Sequence, residues 1–203
     1  MYFYDNDYTV SEFLKTVYSF VLTKVFYRNA RLIRRPFYLR GKPRMEMGKG
    51  FTTGFSCRIE IFGKKNDKSK KLIIGENCKI GDNVHIAVSK KIEIGQNCLM
   101  ASKVFITDSS HGEYTNDKRG DLISVPPDER ELSVSPVIIG DNVWIGENVC
   151  ILKGVVVGSG SIIGANSVVI KDVEENTIIA GIPAKPIKKY NESKQTWENV
   201  NYC

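Results

Sequence analysis

The sequence predicts an all-β protein built as a three-sided parallel β-coil, and two regularities predict it: a six-residue repeat and the corner residues within each repeat. An aliphatic residue returns at every sixth position over one long stretch, at Ile139, Ile145, Ile151, Val157, Ile163 and Val169. A helix repeats every 3.6 residues and a strand every two, so neither produces a period of six. A coil with three sides per turn, each contributing one inward residue, does produce it.

The corner residues agree with this interpretation. A Gly follows the aliphatic residue in most of these repeats, and small polar residues, often Asn, come next. Such residues tolerate the left-handed backbone that a tight corner needs. The fourth position after the aliphatic residue is small or β-branched, and Cys57, Cys78 and Cys98 occupy it in earlier repeats. We interpret these cysteines as small core residues in a reducing compartment, not as a disulfide framework.

The same repeat recurs upstream and predicts about five turns. The predicted turns cover 47–62, 74–91, 94–106, 139–155 and 157–173, with excursions at 63–73 and 107–136. We therefore expect a helical and basic leader (1–46), the coil (47–173), and a C-terminal cap and tail (174–203). A cap is expected because the last turn of a repeat coil otherwise leaves its core open.

The leader is predicted to contain an amphipathic helix over residues 10–30, with Ser11 as its N-cap and with apolar residues at helical spacing. An arginine-rich segment follows, and Pro36 and Pro43 prevent the helix from continuing. The helix could pack on the coil or on a neighbouring subunit. It could also lie on a membrane surface with the arginines facing anionic lipid.

The 107–136 excursion is the predicted functional loop. A loop of about 30 residues is uncommon in a compact domain and is more often functional than accidental. It contains His111, one of only two histidines in the chain. A neutral imidazole with a pKa of about 6.5 suits removal of a proton from an attacking hydroxyl at neutral pH. The alternative is an ordinary surface-loop histidine.

Composition excludes several classes of protein. The chain of 203 residues has an ordinary globular composition and a net charge of +6. It has no apolar run long enough for a transmembrane helix and no signal-peptide pattern, which predicts a cytoplasmic protein. The coil lacks basic residues interleaved with stacking aromatics, so we expect no nucleic-acid partner. Neither CxxC nor His/Cys metal spacing occurs, so we expect no metal.

Two segments, Ile139–Gly146 and Ala180–Lys185, closely resemble the hexapeptide-repeat acyltransferases, and the similarity extends over about 47–190. Within that family the chain resembles the galactoside/maltose O-acetyltransferase branch, and especially the bacterial enzymes that acetylate surface polysaccharides. The resemblance implies a left-handed parallel β-helix, a homotrimer, acetyl-CoA as donor and a sugar or glycan acceptor. It also implies a cytoplasmic enzyme that could act at the inner face of the membrane.

The resemblance also implies the site residues. His111 matches the catalytic base, Asn83 an acceptor contact, Trp144 a residue beside the site, and Ala165 a backbone contact to the pantetheine arm. The implied donor-binding positions are Trp144, Gly146, Gly164, Ala165, Lys171, Lys185 and Lys188.

The residues themselves leave several choices open. Asp108, Glu113 or a backbone carbonyl could orient the His111 ring, and Asp108 is also a candidate acceptor contact. His85 either reaches the acceptor or lies on the coil exterior. Trp144 could be a core or interface residue, or it could line the thiol end of the donor. The chain has no nucleophile motif with Ser or Cys beside His, so we expect direct transfer and no acyl-enzyme.

The sequence gives less support to other functions that occur on this fold. A γ-type carbonic anhydrase needs three zinc-binding histidines, and this chain has only His85 and His111. A non-catalytic or ice-binding solenoid would have flat threonine arrays and an unbroken coil. An amino-sugar N-acetyltransferase is the main rival, because an amine acceptor also needs a base.

Overall fold

The computed structural model describes residues 8–114 and 123–200. Three parallel sheets wind into a left-handed β-helix, preceded by one helix and followed by an antiparallel segment. This confirms the predicted fold class. The predictions that concern residues 1–7, 115–122 and 201–203 lie outside the described residues.

The helix α1 spans Val10–Phe26, and one 3-10 turn spans Lys42–Arg44. The strands up to the long loop are β1 (Leu32–Ile33), β2 (Phe37–Arg40), β3 (Met45–Met47), β4 (Thr52–Thr53), β5 (Cys57–Ile61), β6 (Leu72–Ile74), β7 (Lys79–Ile80), β8 (His85–Val88), β9 (Ile92–Ile94), β10 (Leu99–Met100) and β11 (Phe105–Thr107). The later strands are β12 (Ser109–His111), β13 (Leu132–Val134), β14 (Val137–Ile139), β15 (Trp144–Ile145), β16 (Cys150–Ile151), β17 (Val156–Val157), β18 (Ile162–Ile163), β19 (Val168–Val169), β20 (Thr177–Gly181), β21 (Ala184–Asn191) and β22 (Thr196–Asn199).

Each turn of the coil passes through three sheets in the same order. The first sheet has the order β1-β4-β7-β10-β15-β18-β20 and continues into the antiparallel strands β21 and β22. The second sheet contains β2, β5, β8, β11, β16 and β19, and the third contains β3, β6, β9, β14 and β17. The strands β12 and β13 form a separate antiparallel hairpin within the long excursion.

The coil begins one turn earlier than the expected boundary at residue 47. Strand β1 pairs in parallel with β4, and β2 pairs in parallel with β5, so residues 32–47 form a further turn. Ile33 and Leu39 keep the six-residue spacing and pair in register with Thr53 and Ile59. The spacing stops after these two positions, because Met47, the partner of Ile74 in the third sheet, comes eight residues later. The leader is therefore one helix plus the first turn of the coil.

The repeat positions have the expected burial. The inward aliphatic residues form one continuous core, and Cys57, Cys78 and Cys98 lie within it as free thiols. Asn148 and Asn166, at corners between the first and second sheets, have φ near +57° and +59°. Asn is one of the few residues with a side chain that adopts this left-handed conformation readily.

Helix α1 packs on the coil through its polar side, which reverses the usual arrangement of an amphipathic helix. Its buried residues are Ser19 and Thr23. The Thr23 hydroxyl donates to the Ser19 carbonyl (2.6 Å) and accepts from the backbone N–H of Ile33 in β1 (2.9 Å). The N-cap is Thr9 instead of the expected Ser11, and Glu12 completes a capping box with Thr9.

Two further features complete the fold. The C-terminal cap is the antiparallel run β20-β21-β22, which continues the edge of the first sheet past the last turn. Among the described residues, no helix is long and apolar enough to cross a membrane.

Candidate active site

His111 lies at the end of β12, in the hairpin that the long excursion forms beside the coil. Residues 109–111 pair with 134–132 in antiparallel register, so His111 stands opposite Leu132. The His111 side chain is exposed. Its main chain is held in place, because the Tyr114 hydroxyl donates to the His111 carbonyl (2.6 Å) and Arg130 Nη1 donates to the Tyr114 hydroxyl (2.7 Å).

Asp108 anchors the base of this hairpin. Its carboxylate is fully buried and accepts the backbone N–H groups of Ser89 (2.7 Å), Lys90 (2.7 Å) and Lys91 (2.6 Å). Its carbonyl accepts the N–H of Ser135, where the chain returns to the coil (2.9 Å). The structure therefore gives Asp108 an anchoring role, and its predicted contact with the acceptor or with the His111 ring stays a prediction. Its oxygens are already bound to the 89–91 corner.

A series of hydrogen bonds between side chains joins the hairpin to the next turn of the coil. The Ser133 hydroxyl donates to Glu113 Oε2 (2.8 Å), and the Lys153 ammonium group is bonded to the Ser133 oxygen. Because Lys153 follows β16 in the coil, the interaction ties both strands of the hairpin to a rigid element. Sequence reasoning did not identify Ser133 or Lys153, since nothing in the local pattern distinguishes them.

His85 lies on the outer face of the second sheet, which agrees with the exterior alternative. Its Nε2 is 3.3 Å from Glu60 Oε2, and Arg58 Nε is 2.8 Å from the same oxygen. The His85 ring also contacts Phe105 on the adjacent strand, with centroids 5.2 Å apart. The hydrogen bond from Arg58 holds the pKa of the Glu60 carboxyl below its usual value, and His85 contributes in the same direction.

Asn83 is exposed at the corner between the first and second sheets, with φ +56°. The His111 hairpin leaves the coil at the opposite end of the second sheet, after β11. A strand and its flanks, residues 83–89, separate the two corners, which corresponds to about 20 Å of extended chain. No hydrogen bond joins His111 to Asn83 within the described residues. Within a single chain, these two predicted site residues therefore lie at different corners of the coil.

Trp144 points outward from the first sheet and is 51% exposed, so it is not a core residue. Its neighbour in register is Ile162, which in turn pairs with Ile178, and Ile178 pairs with Lys188. Side chains in register on adjacent strands share one face of the sheet. Trp144 and Lys188 therefore lie at the two ends of a row of four side chains on one face of the sheet. They are three strand spacings apart, a distance of about 14 Å.

Gly146, Gly164 and Ala165 lie just after strands of this sheet, at the corner that leads to the second sheet. Successive turns are in close contact here, because a Cβ on Gly146 would lie 2.6 Å from the Ala165 nitrogen. The structure therefore brings Trp144 and these three predicted residues to one edge of the coil.

Lys171 and Lys185 line a cavity of about 400 Å³ at the C-terminal end of the coil. Within the described residues, neither lysine takes part in a salt bridge, and the same holds for Lys188. Lys189 also lines the cavity but is paired with Glu174. Ammonium groups without a salt-bridge partner suit the binding of phosphate, and the exposed carboxylate of Asp172 also lines this cavity.

Two of the core cysteines, Cys57 and Cys98, are poor nucleophiles. Burial raises the pKa of the Cys57 thiol, and a hydrogen bond with Cys78, together with burial, raises the pKa of the Cys98 thiol. Such thiols stay protonated and unreactive. In the described parts of the chain, no group of three or more His, Cys, Asp or Glu residues could hold a metal ion.

Comparison with known proteins agrees with this geometry. The family model described as bacterial transferase hexapeptide (six repeats) matches residues 136–171, and the model described as hexapeptide repeat of succinyl-transferase matches residues 71–108. Both matches fall on the coil and flank the long loop.

Three relatives extend the comparison. A candidate lipopolysaccharide biosynthesis O-acetyl transferase of Escherichia coli (strain K12), WbbJ, is 44% identical over 193 residues, covering 95% of this chain and 96% of the relative. A maltose O-acetyltransferase from Clostridium difficile 630 has a TM-score of 0.59 at 27% identity, covering 89% and 88% of the two chains. Galactoside acetyltransferase in complex with coenzyme A has a TM-score of 0.53 at 29% identity, covering 75% and 72%.

The chain therefore belongs to the hexapeptide-repeat acyltransferases. Within that family it is an acetyltransferase similar to the galactoside, maltose and lipopolysaccharide enzymes.

Proposed function

We propose that this protein transfers an acetyl group from acetyl-CoA to a sugar hydroxyl during assembly of a bacterial surface polysaccharide. The observation that carries the proposal is the His111 hairpin, which holds an exposed imidazole on an anchored main chain beside the coil. The similarity to WbbJ over nearly the whole chain supports the acceptor class. The buried, unpaired thiols are consistent with a reducing cytoplasm, where we place the enzyme.

In the proposed reaction the His111 imidazole takes the proton of the acceptor hydroxyl as that oxygen attacks the thioester carbonyl. The new C–O bond forms, and the C–S bond breaks when the tetrahedral intermediate collapses. The imidazolium then returns its proton to the departing thiolate of CoA. Backbone N–H groups at the coil corners are the donors available for the oxyanion.

The donor site is proposed along the edge that contains Trp144, Gly146 and Ala165. The galactoside acetyltransferase structure contains coenzyme A, which supports a coenzyme A site in this family. The predicted lysines at the C-terminal end, Lys171, Lys185 and Lys188, would meet the phosphates as point charges. Gly146 lacks a Cβ at the contact between turns, so the backbone of Ala165 can stack directly against it and form this edge.

We further propose a homotrimer in which neighbouring subunits share each site. His111 and Asn83 belong to corners at opposite ends of the second sheet, so a single chain leaves the base apart from the expected acceptor contact. Three coils packed side by side would bring the hairpin of one subunit against a corner of its neighbour. Cyclic symmetry makes all three sites equivalent.

The test is thiol release from acetyl-CoA with a panel of sugars, nucleotide sugars and bacterial glycans, using the wild type and His111→Ala. We expect turnover on a hydroxyl acceptor and a drop in kcat of about 10²- to 10⁴-fold in the variant. The melting temperature and acetyl-CoA binding should not change, because the exposed side chain supports neither.

His85→Ala is the matched control, since it removes the other histidine from the coil exterior. It should retain most of the kcat. Turnover only on amino sugars would replace the proposal with N-acetylation. Full activity of His111→Ala would remove His111 as the base.

A further inference from the structure

We propose that helix α1 is an interfacial membrane anchor, which binds the surface of an anionic bilayer through its outward apolar face. The proposal rests on the helix and its charge environment and does not depend on the proposed reaction.

The outward face of α1 is apolar over an unusual width. The residues that are exposed on it are Val10, Phe13, Leu14, Val17, Tyr18, Phe20, Val21 and Val25. At 100° per residue they cover an arc of about 160°, opposite Ser19 and Thr23. The exposed Lys24 also falls within this arc, near the end of the helix, where its ammonium group donates to the Ala30 carbonyl (3.0 Å). The helix thus turns its polar side to the coil and its apolar side to the surroundings. Contiguous exposed apolar surface of this kind marks a binding surface.

The surrounding charge is almost entirely positive. Residues 10–49 contain ten Lys and Arg residues and two carboxylates, Glu12 and Glu46. Glu12 is occupied in the capping box with Thr9. Within the described residues, no salt bridge involves a Lys or Arg of this segment. Arg28, Arg31 and Lys49 are exposed, so their charge is available to an external anionic surface.

These two features together favour a bilayer over a second copy of the chain. A self-contact through α1 would bring two uncompensated positive segments together, which is unfavourable. An anionic bilayer supplies both an apolar layer and negative charge, as interfacial amphipathic helices require. The helix has 17 residues and is about 25 Å long, shorter than the hydrocarbon core of about 30 Å, so the proposed orientation is parallel to the surface.

The experiment is co-sedimentation of the full chain with vesicles of pure phosphatidylcholine and with vesicles containing 30% phosphatidylglycerol. We expect binding to the anionic vesicles that weakens with added salt. The double variant Val17→Ser/Val21→Ser should bind at least about ten-fold more weakly, because two exposed apolar side chains no longer enter the interface. Arg28→Ala should bind the anionic vesicles about five-fold more weakly, which is the effect of removing one basic charge near the surface.

The matched control is Ile138→Ser/Val156→Ser, which removes two apolar side chains of similar exposure from the outer face of the third sheet. It should bind vesicles like the wild type. Absence of vesicle binding, or equal loss in both double variants, would overturn the proposal. So would a Val17→Ser/Val21→Ser variant that loses its oligomeric state in analytical ultracentrifugation, since a second copy would then cover this face.

Discussion

At the scale of single residues, neighbouring positions in the loop have different roles. Asp108 and His111 are three residues apart, and both are polar candidates in the sequence. In the structure the Asp108 carboxylate is buried and accepts three backbone N–H groups, whereas the His111 side chain is exposed. Residue type alone does not distinguish a structural carboxylate from a catalytic one, because the partners of Asp108 lie 17 to 19 positions earlier in the chain.

Asp108→Ala should destabilise the protein by about 3 to 5 kcal/mol, since it leaves three buried N–H groups without an acceptor. Urea unfolding measures this change. Asp172→Ala is the control, because Asp172 is exposed and accepts a single N–H, from Val156 (2.9 Å); it should cost about 1 kcal/mol or less. An Asp108→Ala variant with wild-type stability and no activity would restore Asp108 to the acceptor site.

Glu60 should make stability dependent on pH in the acid range. Its pKa is below the ordinary 4.5 in the folded protein, because Arg58 and His85 bond to the ionised form. A depressed folded pKa adds stability above the ordinary value and loses it as the pH falls through the folded pKa. We expect Glu60→Gln to be less stable than the wild type by about 1 kcal/mol at pH 6.

The difference between Glu60→Gln and the wild type should shrink as the pH falls through the lowered pKa of Glu60, because the protonated carboxyl then resembles the amide. Thermal unfolding of both proteins between pH 3 and pH 7 measures it. A difference that stays constant over this range would show that the Glu60 charge does not stabilise the fold.

At the scale of elements, the C-terminal cap combines two tasks. Strand β21 adds an antiparallel edge to the first sheet, and it also carries Lys185 and Lys188. An open coil end needs such a cover, and the donor phosphates need charge at the same end. Helix α1 differs, because its fit to the coil through Ser19 and Thr23 leaves its apolar side for another surface.

Lys185→Ala should raise KM for acetyl-CoA about ten-fold and lower kcat little, since one charge-assisted contact to phosphate is lost in both ground and transition states. Steady-state kinetics with varied acetyl-CoA measures this. Lys194→Ala is the control, because Lys194 is paired with Glu198 in the terminal hairpin (2.8 Å). An unchanged KM in Lys185→Ala would remove this lysine from the donor site.

At the scale of the whole molecule, the proposed site is divided between the ends of the second sheet. The fourth turn of the coil carries the hairpin with His111, and Asn83 lies at the other corner. Turns stack at about 4.8 Å, so the fourth turn lies three spacings, about 14 Å along the coil axis, from the first turn, on which α1 packs through β1. A bilayer under α1 would thus be close to the site, where a lipid-linked acceptor could reach it.

Subunit sharing predicts complementation. His111→Ala and Asn83→Gly should each be impaired alone, and Gly keeps the left-handed corner at position 83. When the two variants are co-assembled, some sites would combine an intact His111 with an intact Asn83 from a neighbour. Activity of the mixed assembly above the sum of the two parents is the expected result. No gain after verified mixing would mean that both residues act within one chain.

The amino-acid pattern alone predicts the coil, its corners, the interrupted turn and the histidine in the loop. These features repeat locally, because each side of the coil needs the same inward aliphatic residue and the same small corner. The first turn was not predicted, since only Ile33 and Leu39 keep the six-residue spacing there and Met47 comes eight residues later.

The hydrogen bonds of Asp108, Ser133 and Lys153, and the orientation of helix α1, depend on contacts between distant parts of the chain. Each depends on a hydrogen-bond partner on another turn or another element, as with Thr23 and the N–H of Ile33. A six-residue period specifies which side chains point inward. It does not specify which polar groups meet across turns, and those contacts place the hairpin and leave the apolar side of α1 exposed.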